Sequence, residues 1–461
     1  MKTLLLTAMA DTHYVVPPTS LGYLAGAVRN AGHEVSIIDG TKEKLTPKKL
    51  HEELKKINPE VVGMTVFSCD VNVVAGYIKA IKAFNKNIKI ILGGPHVSGV
   101  EEEIFENFPE IDFAITGEAE AGFPMLLENI QNNKKNYSKI PGLIWKEDSK
   151  INHNPSYFEC DLDKLAFPAW DLIDPRTYPR APQGAVFRNY PIAPMIMSRG
   201  CPFQCTYCAS KVVTGQKFRK RSVENIIQEL ELLYNKFGIK EIHIVDDTFT
   251  LDRKRVVDFC NELIKRKIKI TYTFPNGVRL DTLDEELLRL LKKTGCYAMS
   301  VGIESGSQEI LNDMRKGLTL KLIKEKTDLI AKIGIDINGF FIVGYPGETK
   351  ETILKTIKFA KKLKIKRAHF SSFLPLPGTE STRKLKEQNK LGKTDYSKLF
   401  YSDVPYAPDS MTKEELKKLQ RRAFLEFYLR PKIIWYMILE IRTLDHLLSL
   451  LKRARDYAFG R

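Results

Sequence analysis

From Met1 to about Asn133, five apolar runs of strand length (TLLLTAM, EVSIID, EVVGMTVFS, IKIILGG and IDFAITG) alternate with segments such as TSLGYLAGAVRNAG, whose apolar positions recur at helical spacing. Alternation this regular predicts a parallel, doubly wound, Rossmann-like sheet. Between Tyr137 and about Ile192 the pattern lapses: IPGLIWKEDSKINHNP reads as a hairpin, and FPAWDLIDPRTYPRAPQG as a proline-rich connector. Alternation then returns to about Glu380, with candidate strands APMIMSR, EIHIVDD, KITYTFPNG, YAMSVGIES, DINGFFIVG and RAHFSSFLP. Six strand–helix units predict a partial (β/α)6 barrel rather than a closed eight-unit one. The chain therefore divides into an α/β domain at 1–136, a hairpin and linker at 137–191, a partial barrel at 192–385 and a helical C-terminal region at 386–461.

That last region opens with Thr412 and Glu415 in capping-box spacing, is broken at Pro431, and continues through IIWYMIL to a basic amphipathic tail around Lys452, Arg453 and Arg455. Packing against the barrel and peripheral membrane contact are both open readings, with the aromatic cluster Phe427, Tyr428, Trp435 and Tyr436 compatible with either.

Composition narrows the class. The 461 residues carry a formal charge of +16, spread over many lysine-rich helix faces, which alone does not demand a nucleic-acid or membrane partner. No apolar run approaches the ~20 residues of a spanning helix, and seven scattered cysteines make no disulfide framework, so the expected compartment is a reducing cytoplasm. Cys69, Cys160, Cys260 and Cys296 read as packing residues.

Candidate chemistry concentrates in MSRGCPFQCTYCAS, after the first barrel strand, where Cys201, Cys205 and Cys208 stand without a fourth ligand. Structural zinc wants four, and the nearest downstream histidine, His243, falls in a predicted strand. Three thiolates on a 4Fe-4S cluster leave one iron open to bind a small molecule.

This C-x3-C-x2-C loop, with Tyr207 before its last cysteine, resembles the radical S-adenosylmethionine superfamily. The resemblance implies that the open iron chelates the amino and carboxylate groups of S-adenosylmethionine, and that the reduced cluster cleaves it to a 5'-deoxyadenosyl radical that abstracts hydrogen from substrate. It also implies an S-adenosylmethionine-side set: Tyr207 in the cysteine loop; Asp246 in IVDDTFT, in place of the usual Gly-Gly-Glu; Glu304 and Ser305 in SVGIESGS; Gly339, Gly344 and Gly347 in GFFIVGYPGET; and Arg279 in NGVRLD as a carboxylate partner. Each has a plainer reading as a barrel-mouth hydrogen-bonder or a turn glycine.

A doubly wound domain ahead of such a barrel is similar to the cobalamin-binding domain of one branch of that superfamily. The likeness implies that Gly93 and Gly94 line the corrin and nucleotide tail, with Ser68, His96, Gly117 and Glu118 from neighbouring strand-end loops. Asp11-x-His13 occupies the loop where some cobalamin domains carry Asp-x-His-x-x-Gly, but Val16 stands in the glycine's place and Pro17-Pro18 follow, which favours His13 beside the corrin over His13 on cobalt. A ligand-free Rossmann-like module is the alternative for the whole domain.

The function implied is cobalamin-dependent radical chemistry with a 4Fe-4S cluster and S-adenosylmethionine. C-methylation of an unactivated carbon in a small or lipid-like molecule comes first, with electrons from a flavodoxin- or ferredoxin-type donor. Cyclisation or rearrangement by the same machinery, RNA modification, and a non-enzymatic metal-binding sensor are the alternatives. The RNA reading is weakened because only Cys69 lies in the first domain.

Overall fold

The computed structural model describes residues 1–441 except 11, 13, 14, 180–186, 393, 401 and 402. The loop residues Asp11 and His13, and the basic tail, lie outside the described residues.

Two sheets organise the chain. The first has seven strands: β1 (Lys2–Thr7), β2 (Glu34–Asp39), β3 (Val61–Thr65), β4 (Lys89–Gly93), β5 (Phe113–Ile115), β6 (Leu143–Glu147) and β7 (Lys150–His153), in the order 2-1-3-4-5-6-7. β1 to β5 are parallel, as the alternation predicts, because each crossover runs through a helix or helical turn. The predicted hairpin, β6–β7, pairs antiparallel with β5 and extends this sheet. Separate apolar cores fill the two faces. Leu4, Leu6, Val62, Ile90 and Leu92 lie in one; Leu5, Val61, Ile91 and Ile115 lie in the other. Near-continuous apolar strands are what burial on both faces requires.

The second sheet is the partial barrel: β8 (Ile192–Met195), β11 (Glu241–Ile244), β12 (Thr271–Val278), β13 (Cys296–Glu304), β14 (Asp336–Val343) and β15 (Arg367–Ser372), all parallel and adjacent in chain order. Two short strands, β9 (Ser198–Arg199) and β10 (Arg219–Lys220), form an antiparallel ribbon that brackets the cysteine loop.

Helix Lys413–Tyr428, with the Thr412–Glu415 capping box formed, lies against the edge strand β15. Tyr428 hydroxyl bonds the N–H (3.2 Å) and C=O (3.1 Å) of Ala368, and Gln420 Nε2 donates to Phe370 C=O (2.9 Å), so these edge groups are satisfied by side chains. Phe427 is fully buried there. The following helix, Pro431–Glu440, instead exposes Ile434, Trp435 (60%), Ile438 and Leu439.

Candidate active site

Gly200, at φ +84°, turns the chain from β9 into the cysteine loop; a Cβ there would collide with the Lys217 carbonyl. The loop is tied on several sides. Cys201 N–H donates to Gly215 C=O (3.1 Å), Thr206 N–H to Met314 C=O (3.1 Å) and Ser381 N–H to Thr206 C=O (3.0 Å), while Thr206 Oγ1 shares a 2.8 Å bond with Tyr345 hydroxyl. Cys201, Cys205 and Cys208 are free and half-buried. Burial raises the Cys201 thiol and pushes Cys208 up to about 11, a setting in which thiols ionise when a metal takes up their charge. Among the described residues, no group of three His, Cys, Asp or Glu side chains is placed to hold one metal ion. Three half-buried thiols in one loop are a donor set that suits a multi-iron cluster with one open iron.

The other candidates surround this loop unevenly. Asp246 is buried; it accepts from Met197 N–H (2.7 Å) and Ser198 hydroxyl, pinning the strand that feeds the loop, and burial lifts it to about 6 against the pull of Arg255. Its neighbour Asp247 accepts from Thr214 Oγ1 (2.7 Å), which shares a bond with Ser210 (3.1 Å), whose N–H meets Cys208 Sγ (3.5 Å). Arg279 already has its carboxylate, in Asp281 (2.9 and 3.0 Å), and its guanidinium lies 3.5 Å from the Phe203 ring centroid, inside the cysteine loop. Glu304, at the end of β13, accepts from Lys316 Nζ (2.7 Å), which also reaches Tyr207 hydroxyl (3.4 Å).

Four candidates take structural places. Ser305 bonds Thr356 (3.2 Å) and accepts from Ser307 N–H (3.1 Å), facing helix Lys350–Lys362. A Cβ on Gly339 would press on Phe341, Ile303 and Ile365, in the layer outside the barrel. Gly344, at φ +79°, is packed under Leu416. Gly347, at φ +87°, turns in open space, where a left-handed backbone rather than close approach requires glycine.

A cavity of about 500 Å³ joins the two sheets. Its walls include Gly93, Gly94, Gly117 and Glu118 from the first domain and Ser198, Arg199, Thr214, Asp246, Asp247 and Asn276 from the barrel mouth. It opens at the carboxyl ends of β3, β4 and β5, with β3 beside the point where the strand order reverses, and runs between the sheet and helix Thr19–Asn30 past Leu21, Leu24, Ile91 and Phe123. Gly94, at φ +94°, keeps the floor to bare backbone, since a Cβ would collide with Thr65 Oγ1. A backbone-lined floor with a deep apolar cleft fits a corrin with a nucleotide tail. Ser68 and His96 are not among these walls; they bond each other (3.0 Å), and His96 is buried against Tyr396, which lowers its pKa to about 4. Glu118 is committed to Arg219 (2.7 and 2.8 Å) and faces Arg199 (3.4 Å), with Glu120 also on Arg199 (2.7 Å). This buried ion network bridges the domains.

Sequence reasoning did not single out Lys316, Arg199, Arg219 or Thr214. Arg199 and Arg219 flank the cysteine loop, and an arginine beside a ligand loop is a signal. Lys316, in a lysine-rich chain, carries none. Of the cysteines read as packing residues, Cys260 and Cys296 are buried, whereas Cys160 is exposed because it sits on the connector's surface.

Comparison with known proteins agrees with this division of labour. The Radical SAM superfamily model matches residues 195–360, and the B12 binding domain model matches residues 5–127. An uncharacterized methyltransferase of Pyrococcus horikoshii is 35% identical over 91% of this chain and 89% of its own length. The anaerobic magnesium-protoporphyrin IX monomethyl ester cyclase of Cereibacter sphaeroides is 28% identical over 91% of this chain and 68% of that protein. Among solved structures, OxsB, a cobalamin-dependent S-adenosylmethionine radical enzyme with aqua-cobalamin and S-adenosylmethionine bound, superposes with a TM-score of 0.76 over 99% of this chain and 71% of that one; at 17% identity the likeness is one of fold.

Proposed function

The chain belongs to the cobalamin-dependent radical S-adenosylmethionine enzymes, and on that premise we propose that it methylates an unactivated carbon of an apolar small molecule. The observation that carries this reading is a cavity whose walls come from both the cobalamin-type domain and the barrel mouth. A methyl donor at one end and a radical generator at the other need such a shared space.

Bound, the cluster and cobalamin supply electron transfer, radical generation from S-adenosylmethionine and a transferable methyl group. The chain's own groups do the rest. Cys201, Cys205 and Cys208 would hold the cluster, and Thr206, fixed by Met314, Tyr345 and Ser381, keeps their loop in place. Glu304 and Asp247 would meet the polar groups of S-adenosylmethionine or substrate, each with one carboxylate oxygen held by a neighbour (Lys316 and Thr214). Gly93 and Gly94 would admit the corrin, and Pro194, Ile196, Val213 and Val245 exclude water from the shared space.

Ring closure by the same machinery is the second reading, favoured by the cyclase relative. The exposed apolar face of Pro431–Glu440 would suit peripheral contact with a membrane holding an apolar substrate, and a flavodoxin- or ferredoxin-type protein would deliver the electron.

The test is anaerobic reconstitution with iron, sulfide and hydroxocobalamin, then dithionite and S-adenosylmethionine labelled in its methyl group. The expected result is 5'-deoxyadenosine together with label recovered on the bound cobalamin, the nucleoside vanishing in Cys201→Ala. Nucleoside with no label on cobalamin would overturn methylation in favour of ring closure or rearrangement.

A further inference from the structure

The ammonium of Lys316 sits at the cysteine loop, where it steadies Glu304. The residue is 9% exposed, and its Nζ donates to Glu304 Oε1 (2.7 Å) and to the hydroxyl of Tyr207 (3.4 Å), the residue just before Cys208. Several local features seat it. Glu304 adopts φ +64°, the left-handed region that glutamate rarely visits. Gly302 leaves the necessary space, because a Cβ there would stand 2.6 Å from Lys316 Nζ and overlap Glu304 Oε1. Arg279 NH2 grips the Lys316 carbonyl (3.1 Å). Arg279 also sets a second cation against the same loop, over Phe203. Asp247 brings negative charge to the same loop through Thr214, which bonds Ser210, whose N–H meets Cys208 Sγ.

We propose that Lys316 is a positioning residue whose buried ammonium, held by Glu304, Tyr207 and Gly302 against the cysteine loop, raises the reduction potential of the iron–sulfur cluster. The inference rests on the assignment of Cys201, Cys205 and Cys208 as the cluster's ligands. On reduction the cluster gains one electron from an external reductant; no bond forms or breaks, and Lys316 keeps its proton throughout. A fixed positive charge in a low-dielectric setting stabilises the added electron, and local charge and hydrogen bonding are among the levers that set cluster potentials. Glu304 opposes it, so the two charges should act with opposite sign.

The experiment is an EPR-monitored redox titration with dithionite, without S-adenosylmethionine, on reconstituted full-length wild type, Lys316→Met, Lys316→Arg and Glu304→Gln, with iron and sulfide quantified for each. Lys316→Met should lower the reduced-to-oxidised ratio at fixed potential about tenfold, a shift of about 59 mV for one electron. Lys316→Arg should stay near wild type, and Glu304→Gln should shift the other way. Wild-type potential in an iron-replete Lys316→Met, or shifts of the same sign in Lys316→Met and Glu304→Gln, would overturn the proposal. If Lys316→Met does not retain iron, Glu304→Gln decides: a raised potential supports the proposal, an unchanged or lowered one rejects it. Wild type lacking iron and an EPR signal would instead reject the cluster assignment.

Discussion

At the scale of single residues, the chain places charged groups where burial alone would not tolerate them. Glu348 shows the consequence. Its Oε2 accepts from the N–H groups of Gly344 (2.6 Å) and Tyr345 (3.1 Å), whereas its buried Oε1 has no hydrogen-bond partner among the described residues, and burial raises the carboxyl to about 7. A carboxyl raised in the folded state binds more protons folded than unfolded between about 4.5 and 7. Stability therefore falls as pH climbs through that window and levels off above it. Glu348→Gln keeps an acceptor for both N–H groups and removes the ionisation. Thermal melts at pH 5 and pH 8 should show a smaller drop for the variant than for wild type; an equal or larger drop would contradict the assignment. In the sequence Glu348 is one more letter of PGET, because burial of one carboxylate oxygen is a product of packing that no motif spells out.

Among elements, glycines at strand ends separate fold from site. Gly94→Ala forces a methyl into Thr65 Oγ1 and the Val66 backbone at φ +94°, a strain of about 1–3 kcal/mol before the clash is counted. Gly93→Ala meets only Ile115 C=O at 3.6 Å. Scanning calorimetry should find a lowered Tm for the first and an unchanged Tm for the second, while both weaken cobalamin retention on gel filtration. Cobalamin retained in full by Gly93→Ala would remove that residue from the binding wall.

The strands themselves were legible from apolar run length and spacing: all eleven parallel strands overlap the runs read from the sequence, with β1, β8, β12 and β13 each reaching one residue past theirs. Less legible was what each motif glycine or polar residue faces. Gly339 looks outward, Ser305 faces a helix, and Ser68 and His96 bond each other, because strand alternation and loop reversal assign sides that spacing leaves open. The cysteine loop was the opposite case, since three thiols at fixed spacing carry their chemistry in the sequence itself.

For the whole molecule, the two cofactor-type domains meet through buried ions rather than a purely apolar seam. Arg219 donates to both Glu118 oxygens and to the Glu159 and Thr214 carbonyls, while Arg199 lies over the Tyr23 ring and bonds Glu120. Removing one member leaves a buried charge short of partners, at about 3–5 kcal/mol. Arg219→Gln should therefore lower Tm and speed cleavage in limited proteolysis of the connector around Glu159; unchanged melting and cleavage would show that the network is dispensable. Because Arg199 ends β9 and Arg219 begins β10, the same ions fix the ribbon that brackets the cysteine loop.

If the cavity between the two domains serves both cofactor sites, its occupants can be seen there directly. The most direct measurement is an anaerobic crystal structure of the protein reconstituted with cluster and hydroxocobalamin and soaked with S-adenosylmethionine. The corrin is expected over Gly93 and Gly94, the cluster on Cys201, Cys205 and Cys208, and S-adenosylmethionine near Glu304, with the space between them walled by Thr214, Asp247 and Asn276. A corrin bound elsewhere, or cofactors separated by protein with no shared space, would contradict this arrangement.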